Sequence, residues 1–438
     1  MALPFHDINI AFPTNNLRIV FVVLRSRTLV EVKGRFQTLG RHRFDSGQHG
    51  HDWIELMQPT TTFSIRWVSS VEDIPSDLWA RCFGPPLEGQ WWYGTLDRSG
   101  LEAQFTFAYA IIERGSDPVG IAPIFLMDVP IDLVAPPTIA RILRFAGKAI
   151  PRLRYQRTLF VGSPCSDEGT VGLLPGVALA EVGPILHDAL SLRARQVGAS
   201  MIVWKDFPDT ASAALESLCA SRGLFKLVSY PGTHLPLAGG GFSTYLQTLT
   251  SHNRYNLRSK LRRSKEAGDL HVTVLQYPDP LLLDEIFALF WQTYQKGKTK
   301  FELLTPQFFR RIAAEDVSHF VLLRHPQTGK LVAFMLCFRI GPRVVNKFIG
   351  LDYGYDGNWF LYFRLWEQAI DWASRIGATD FQSGQTVYRA KLDLGHRLIP
   401  LTNYCQHRNP VLHHLFARIA RGISWATLDK DLAHHSVV

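Results

Sequence analysis

The chain has 438 residues, 46% hydrophobic and 19% charged, a globular mixture that excludes a largely disordered or fibrous chain. Its 33 Gly and 25 Pro follow no period, which excludes collagen, and its length suggests two or three domains. The net charge of +9 is uneven: +2 over residues 1–56, −2 over 57–242 and +9 over 243–438.

Residues 1–56 differ from the rest of the chain. IVFVVL suits a strand, but RHRFDSGQHGHDW is polar and aperiodic, and Met57 opens a more orderly segment. The expectation is an N-terminal extension, disordered or an over-extended start. From Phe63, strand and helix patterns alternate. FSIRWV reads as a strand, and VEDIPSDLWARC as a short helix with Glu72 and Asp73 in its first turn. Trp91, Trp92 and Tyr93 read as core packing ahead of the lining of a substrate cleft. FTFAYAIIE and PVGIAPIFLM are strands joined by RGSD, a hairpin signal. Residues 119–140 are the most apolar long stretch, but Asp128, Asp132 and four prolines argue against a membrane span. YQRTLFVG is a strand, 175–197 a helix, ASMIVWKDF a buried strand, TASAALESLCASRG a helix closed by Gly223, and LFKLVSY a strand.

A Gly-rich linker ends near Gly241, and a similar order of elements comes after it. A helix is expected over 242–267, then strand HVTVLQY, helix LLLDEIFALFWQTYQ and a short helix after Pro306. A hairpin, the strand VVNKFIGLD, a long helix, a strand, a helix and a final strand complete the chain. This alternation predicts an α/β (α+β) fold of two tandem domains, 57–241 and 242–438, each a mixed central sheet flanked by helices.

Chemistry concentrates in the second unit. The strand 344–351 enters the loop DYGYDGN, which opens a helix with apolar residues at 359, 362, 363, 366, 369, 370 and 373. Asn358 suits its N-cap and Gly377 its C-terminal cap. Free N–H groups and partial positive charge at a helix N-terminus suit pyrophosphate, so Tyr353, Gly354, Gly357 and Asn358 are candidate donor-binding residues. Glycines in such a loop serve turn geometry equally well. ATDFQSG then places Gln382 and Gln385 at the C-terminal end of a sheet, where open α/β sheets bind ligands. Tyr388 and Lys391 follow on one helix face. Tyr388 can lend a proton and Lys391 can hold an anion; core packing and solvation are the equal alternatives.

Two basic runs stand out. Arg254, Arg258, Arg262 and Lys265 share one helix face, while Leu246, Leu249, Leu257 and Leu261 line the opposite, buried one. That basic face is either solvated or a docking surface for phosphate. The second run, Arg141 to Arg157, contains no acid and faces either the second domain or a membrane surface. Five widely spaced cysteines without a CxxC pair exclude a disulfide framework and a zinc site. His413–His414 and His434–His435 lack metal-ligand spacing, so no metal is expected. No secretory signal opens the sequence, and the expected compartment is a reducing cytoplasm.

Several segments, in this order, resemble the GNAT acyltransferase superfamily in its FemAB-like branch of peptidoglycan-related and cellulose-associated proteins. They are PVGIAPIFL, the basic helix SHNRYNLRSKLRRSKEAGDLHVTVL, GKLVAFMLCF, the DYGYDGN loop with its helix, and TVYRAKLDLGHRLIPLTNYCQHRNP with Tyr388, Lys391 and Gly395. Together they cover most of residues 62–425. The resemblance implies tandem GNAT-like domains that transfer an acyl group to an amine. In GNAT enzymes a Q/R-x-x-G-x-G/A loop holds coenzyme A, whereas here only Gly354 and Gly357 remain. FemAB-type transferases use aminoacyl-tRNA, a donor that suits Arg254, Arg258 and Arg262.

The leading expectation is therefore an N-acyltransferase with acyl-CoA as co-substrate, no bound cofactor and an unidentified amine acceptor. One alternative is an aminoacyl-tRNA-dependent transferase acting on a cell-wall or exopolysaccharide precursor. Another is a non-catalytic GNAT-like binding module. Position nominates Asp352, or a water near Gln382, as base, a backbone N–H of strand 344–351 for the oxyanion, and Tyr388 as acid. Gln385 joins the arginines as a substrate contact. No transmembrane segment is expected, and peripheral membrane contact stays open.

Overall fold

The structure is a computed structural model that describes residues 63–130, 155–297, 302–355 and 357–435. The N-terminal extension and the basic residues 141–154 lie outside them. The described residues all belong to one compact unit.

The first sheet begins with β1 (Phe63–Val68), followed by helices α1 (Ser76–Cys82) and α2 (Gln90–Asp97). The expected hairpin is β2 (Thr106–Arg114) and β3 (Asp117–Pro130), paired from Thr106↔Leu126 to Arg114↔Asp117. β4 (Tyr155–Val161), the short β5 (Gly172–Leu173), helix α3 (Leu179–Gln196), β6 (Met201–Pro208), helix α4 (Ser212–Arg222) and β7 (Phe225–Val228) come next. β8 (Gly232–Pro236) closes the first half of the chain.

The second half opens with α5 (Gly241–Thr248) and α6 (Ser251–Ala267). The single helix expected over 242–267 is thus two. Leu249 is extended, and the Thr250 hydroxyl accepts from the Asn253 N–H at 3.3 Å, which starts a new helix. Leu246, Leu249, Leu257 and Leu261 all enter the core, as their spacing predicts. The chain continues through β9 (His271–Leu275), α7 (Pro280–Lys296), α8 (Pro306–Ile312), β10 (Ser318–Arg324), β11 (Leu331–Ile340) and β12 (Arg343–Leu351). α9 (Leu361–Arg375), β13 (Asp380–Ser383), α10 (Tyr388–Asp393), β14 (Arg397–Ile399), β15 (Leu401–His407), α11 (Pro410–Ala420) and α12 (Trp425–Leu428) complete the order.

Two mixed sheets result, with strand orders β1-β2-β3-β4-β6-β15-β7 and β14-β8-β13-β12-β11-β10-β9. A division at residue 241 is therefore crossed twice. β8 belongs to the second sheet, and β15 inserts between β6 and β7 of the first. The return crossing falls on Pro400, between β14 and β15, where a residue without an N–H can serve neither ladder. α3 and α4 cover the outer face of the first sheet, and α5, α6 and α9 that of the second. Between the sheets lies a shared core in which Trp79, Trp92 and Phe125 from the first half meet Phe308, Phe309, Phe334 and Phe338 from the second. Trp91 and Trp92 contact Phe338 at 5.0 and 5.8 Å, so the aromatic run packs as core.

Candidate functional site

In the second sheet β12 and β13 run parallel and pair only from Arg343↔Asp380 to Asn346↔Ser383. The cause lies on the other side of β12. Against β11, Cys337 faces Asn346 and Leu336 faces Phe348, so Lys347 is a bulge residue. A bulge bends its strand and ends pairing. Lys347, Phe348 and Ile349 are left partly exposed beyond the last pair.

The Lys347 side chain is only 2% exposed and turns into the gap, where its Nζ meets Glu88 Oε1 at 2.8 Å and Asp167 Oδ1 at 3.8 Å. It also lies over the Trp92 ring at 4.7 Å. Burial opposes its charge, but Asp167 and Glu88 together outweigh burial and its pKa is raised. Lys391, on α10, is equally buried and donates to the Gly384 carbonyl just past β13. Here burial prevails over the attraction of Asp167, and the pKa falls to about 7. Burial raises the Asp167 pKa, and its Oδ2 is buried without a hydrogen-bond partner. Glu168, raised by burial, accepts from Gln382 Nε2 at 2.8 Å, while Gln382 Oε1 accepts from Arg343 at 2.8 Å.

Asp167 and Glu168 come from the first half of the chain, and the first sheet explains how. β4 and β6 also run parallel and pair over Thr158–Val161, after which β4 ends. There the chain folds back into the gap: the Gly162 N–H donates to Pro123 O and the Gly169 N–H to Asp206 O, at 2.9 and 2.8 Å. A Cβ on Gly169 would collide with the Lys205 carbonyl and the Phe207 ring. The first gap is thus filled by a loop whose tip delivers two carboxylates to the second.

A cationic cluster lies at the far end of β12. The candidate N-cap Asn358 is replaced by Phe360, in the left-handed region at φ 42. Asn358 is held elsewhere, its Oδ1 accepting from Arg263 at 2.5 Å, and the Ser264 hydroxyl donates to Trp359 O at 2.6 Å. Arg263 lies over the Phe360 ring at 5.0 Å and Lys260 over Phe363 at 3.9 Å, so α6 brings two cations against the N-terminus of α9. Gly377, at φ +77, follows the helix as expected.

The sequence candidates therefore separate. Gln382 and Lys391 are at the gap. Asp352 lies seven residues beyond Val345, the partner of Gln382, or about 23 Å along the strand. Its carboxylate is held by Lys330 at 2.7 Å and the Gly354 N–H at 2.9 Å; these outweigh burial and lower its pKa. Asp352 therefore stands away from Gln382 along the strand. Tyr388 is 1% exposed and donates to Pro231 O at 2.8 Å, with its pKa raised by burial. It ties α10 to the sheet crossing, with its hydroxyl committed to that carbonyl. Tyr353 lies under Lys296 Nζ at 3.7 Å, and Gly357 leads into the turn before α9. Gln385 is exposed and donates to Tyr230 O at 3.0 Å. Arg254 bonds Gln247, Arg262 pairs with Glu266 at 3.8 Å, and Arg258 is exposed. Sequence reasoning missed Lys347, Asp167, Glu168 and Glu88, and it left Lys260 and Arg263 of the basic run off the face it chose. Only the last two left a signal: cations three apart, matched by Phe360 and Phe363 three apart. No group of metal-ligating side chains occurs among the described residues.

Residues 251–390 match the family model of the acetyltransferase (GNAT) domain. No curated protein matches the chain. Among solved structures, FemX is similar at 12% identity and a TM-score of 0.52, covering 80% of this chain and 100% of its own. A tandem GNAT protein from the clavulanic acid biosynthesis pathway matches at 13% and 0.46, covering 80% and 99%. L-PGS from Bacillus licheniformis matches at 14% and 0.42, covering 60% and 82%. Residues 251–390 are thus similar to the acetyltransferase (GNAT) domain, and the chain shares its two-sheet fold with FemX.

Proposed function

We propose that this protein transfers an acyl group from a coenzyme A thioester to an amine, in the gap where β12 leaves β13. The observation that carries the reading is the floor of that gap, where Lys391, with its pKa near 7, and the unpartnered oxygen of Asp167 meet a strand whose pairing has ended. The amine nitrogen attacks the thioester carbonyl and forms the amide C–N bond. Its proton passes to neutral Lys391 or to the Asp167 carboxylate. The C–S bond breaks, and the departing sulfur takes up the proton that the amine gave to the base, which restores the base. Charge developing on the carbonyl oxygen suits a backbone N–H of β12 beyond the bulge. The donor phosphates suit Lys260, Arg263 and the N-terminus of α9, with an extended arm along β12 between the two clusters.

A second reading, with aminoacyl-tRNA as donor, is favoured by the basic face of α6. Arg258, Arg262 and Lys265 are exposed along a helix of 17 residues, more cationic surface than one pyrophosphate occupies.

The test is a thermal-shift series with acetyl-CoA, longer acyl-CoAs and charged tRNA, followed by turnover with amine acceptors. A saturating donor raises the melting temperature, and Asp167→Asn retains that shift while losing turnover by roughly 100-fold or more. Silence toward all three donors at saturating amounts overturns both readings and leaves a binding module.

A further inference from the structure

α11 stands apart from the gap, and among the described residues nothing covers one of its sides. Asn409 caps it, Oδ1 accepting from the N–H groups of Val411 and Leu412 at 2.9 and 3.2 Å, and Pro410 occupies its first position. Its inner side is fixed to the first sheet, with His413 against Phe225 at 5.2 Å, Phe416 against His407 at 5.6 Å, and Ala420 buried. The outer side presents exposed Val411, with half-buried Leu415 and Ile419 following at i+4 and i+8. Val411 is 75% exposed and neighbouring Leu412 40%. Exposed His414, Arg418 and Arg421 border this apolar stripe.

Along this stretch of the chain the charge has one sign. No acid occurs from 394 to 428, a stretch holding Arg397, Arg408, Arg418 and Arg421, all exposed. Glu216, beside the neighbouring β7, is taken up by Lys226 at 2.8 Å. An uncovered apolar stripe bordered by cations is the make-up of a helix that lies in a bilayer interface. A second copy on this face would set arginine against arginine. No helix among the described residues is long and apolar enough to cross a membrane.

We propose that α11 docks the protein reversibly onto an anionic lipid surface, whatever reaction the gap performs. Its cations meet the headgroups, while Val411, Leu412, Leu415 and Ile419 enter the acyl boundary. A helix this short binds weakly by itself, so salt weakens the attachment.

The full chain is sedimented with phosphatidylcholine vesicles, with and without one phosphatidylglycerol in three lipids. The expected result is partition onto the anionic vesicles alone, reduced about 30-fold or more by Arg418→Glu with Arg421→Glu. Val411→Ser weakens partition too, and a Leu412→Trp reporter shifts its emission to the blue on the vesicles. If the double variant melts below the parent, Val411→Ser and the Trp reporter carry the test. Equal partition of parent and variants, or no partition onto anionic vesicles, overturns the proposal. So does a lipid-free dimer that Val411→Ser dissociates in light scattering, since the face is then a contact between copies.

Discussion

A buried amine beside a carboxylate is under two opposing demands, and at Lys391 burial outweighs Asp167. Its folded pKa of about 7 lies below the ordinary lysine value, so between the two the unfolded chain binds the extra proton. Stability owed to this residue therefore rises with pH from about 7 toward the ordinary value. Lys391→Met removes that rise, which denaturant unfolding of parent and variant at two pH values in the window detects. If neutral Lys391 takes the proton of the amine, kcat/KM also climbs through an inflection near pH 7, and the variant loses the limb with roughly 100-fold of turnover. Lys347 is the opposite case, a buried cation kept charged by Glu88 and Asp167. Lys347→Met strands two carboxylates and is expected to cost about 3–5 kcal/mol in chemical denaturation. Glu88→Gln should cost less in that background than alone, since part of the repulsion it relieves arises only there. Local pattern located Lys391 and Gln382 because both lie within one strand–helix unit. It could not supply the partners of Asp352 and Tyr388, because Lys330 and Pro231 arrive from loops that precede other strands.

At the scale of elements, periodicity identified the helices and strands, and their contacts chose among the exposed side chains. The wheel of α6 grouped Arg254, Arg258 and Arg262, yet the packed helix turns Lys260 and Arg263 toward α9. Lys260→Glu with Arg263→Glu is expected to weaken donor binding at least tenfold in a titration. Arg262→Glu, paired only with exposed Glu266, should change it little. Equal losses in both variants return the whole face to the role the spacing suggested. The bulge at Lys347 had no local signal, because the extra residue is defined only against β11.

Over the whole molecule, the exchanged strands and the aromatic core between the sheets bind the two halves into one unit. Calorimetry should accordingly record one cooperative transition rather than two. The loop ending at Gly169 fills the parting of parallel strands in the first sheet, while the parting in the second is lined by Lys347, Lys391 and Gln382. One donor per chain is the expected stoichiometry in isothermal titration, and two would place a working site in the first half.

The sequence alone determined the alternation of strands and helices, the GNAT resemblance, the apolar face of α6 and the neighbourhood of Gln382 and Lys391. These rest on residues close along the chain, where a period of two or 3.6 makes the burial pattern readable. Only the tertiary structure decided that β8 and β15 change sheets, and that a loop of the first half arms the gap of the second. It also set the titration of Lys391, since burial and the field of Asp167 exist only once distant segments have packed together.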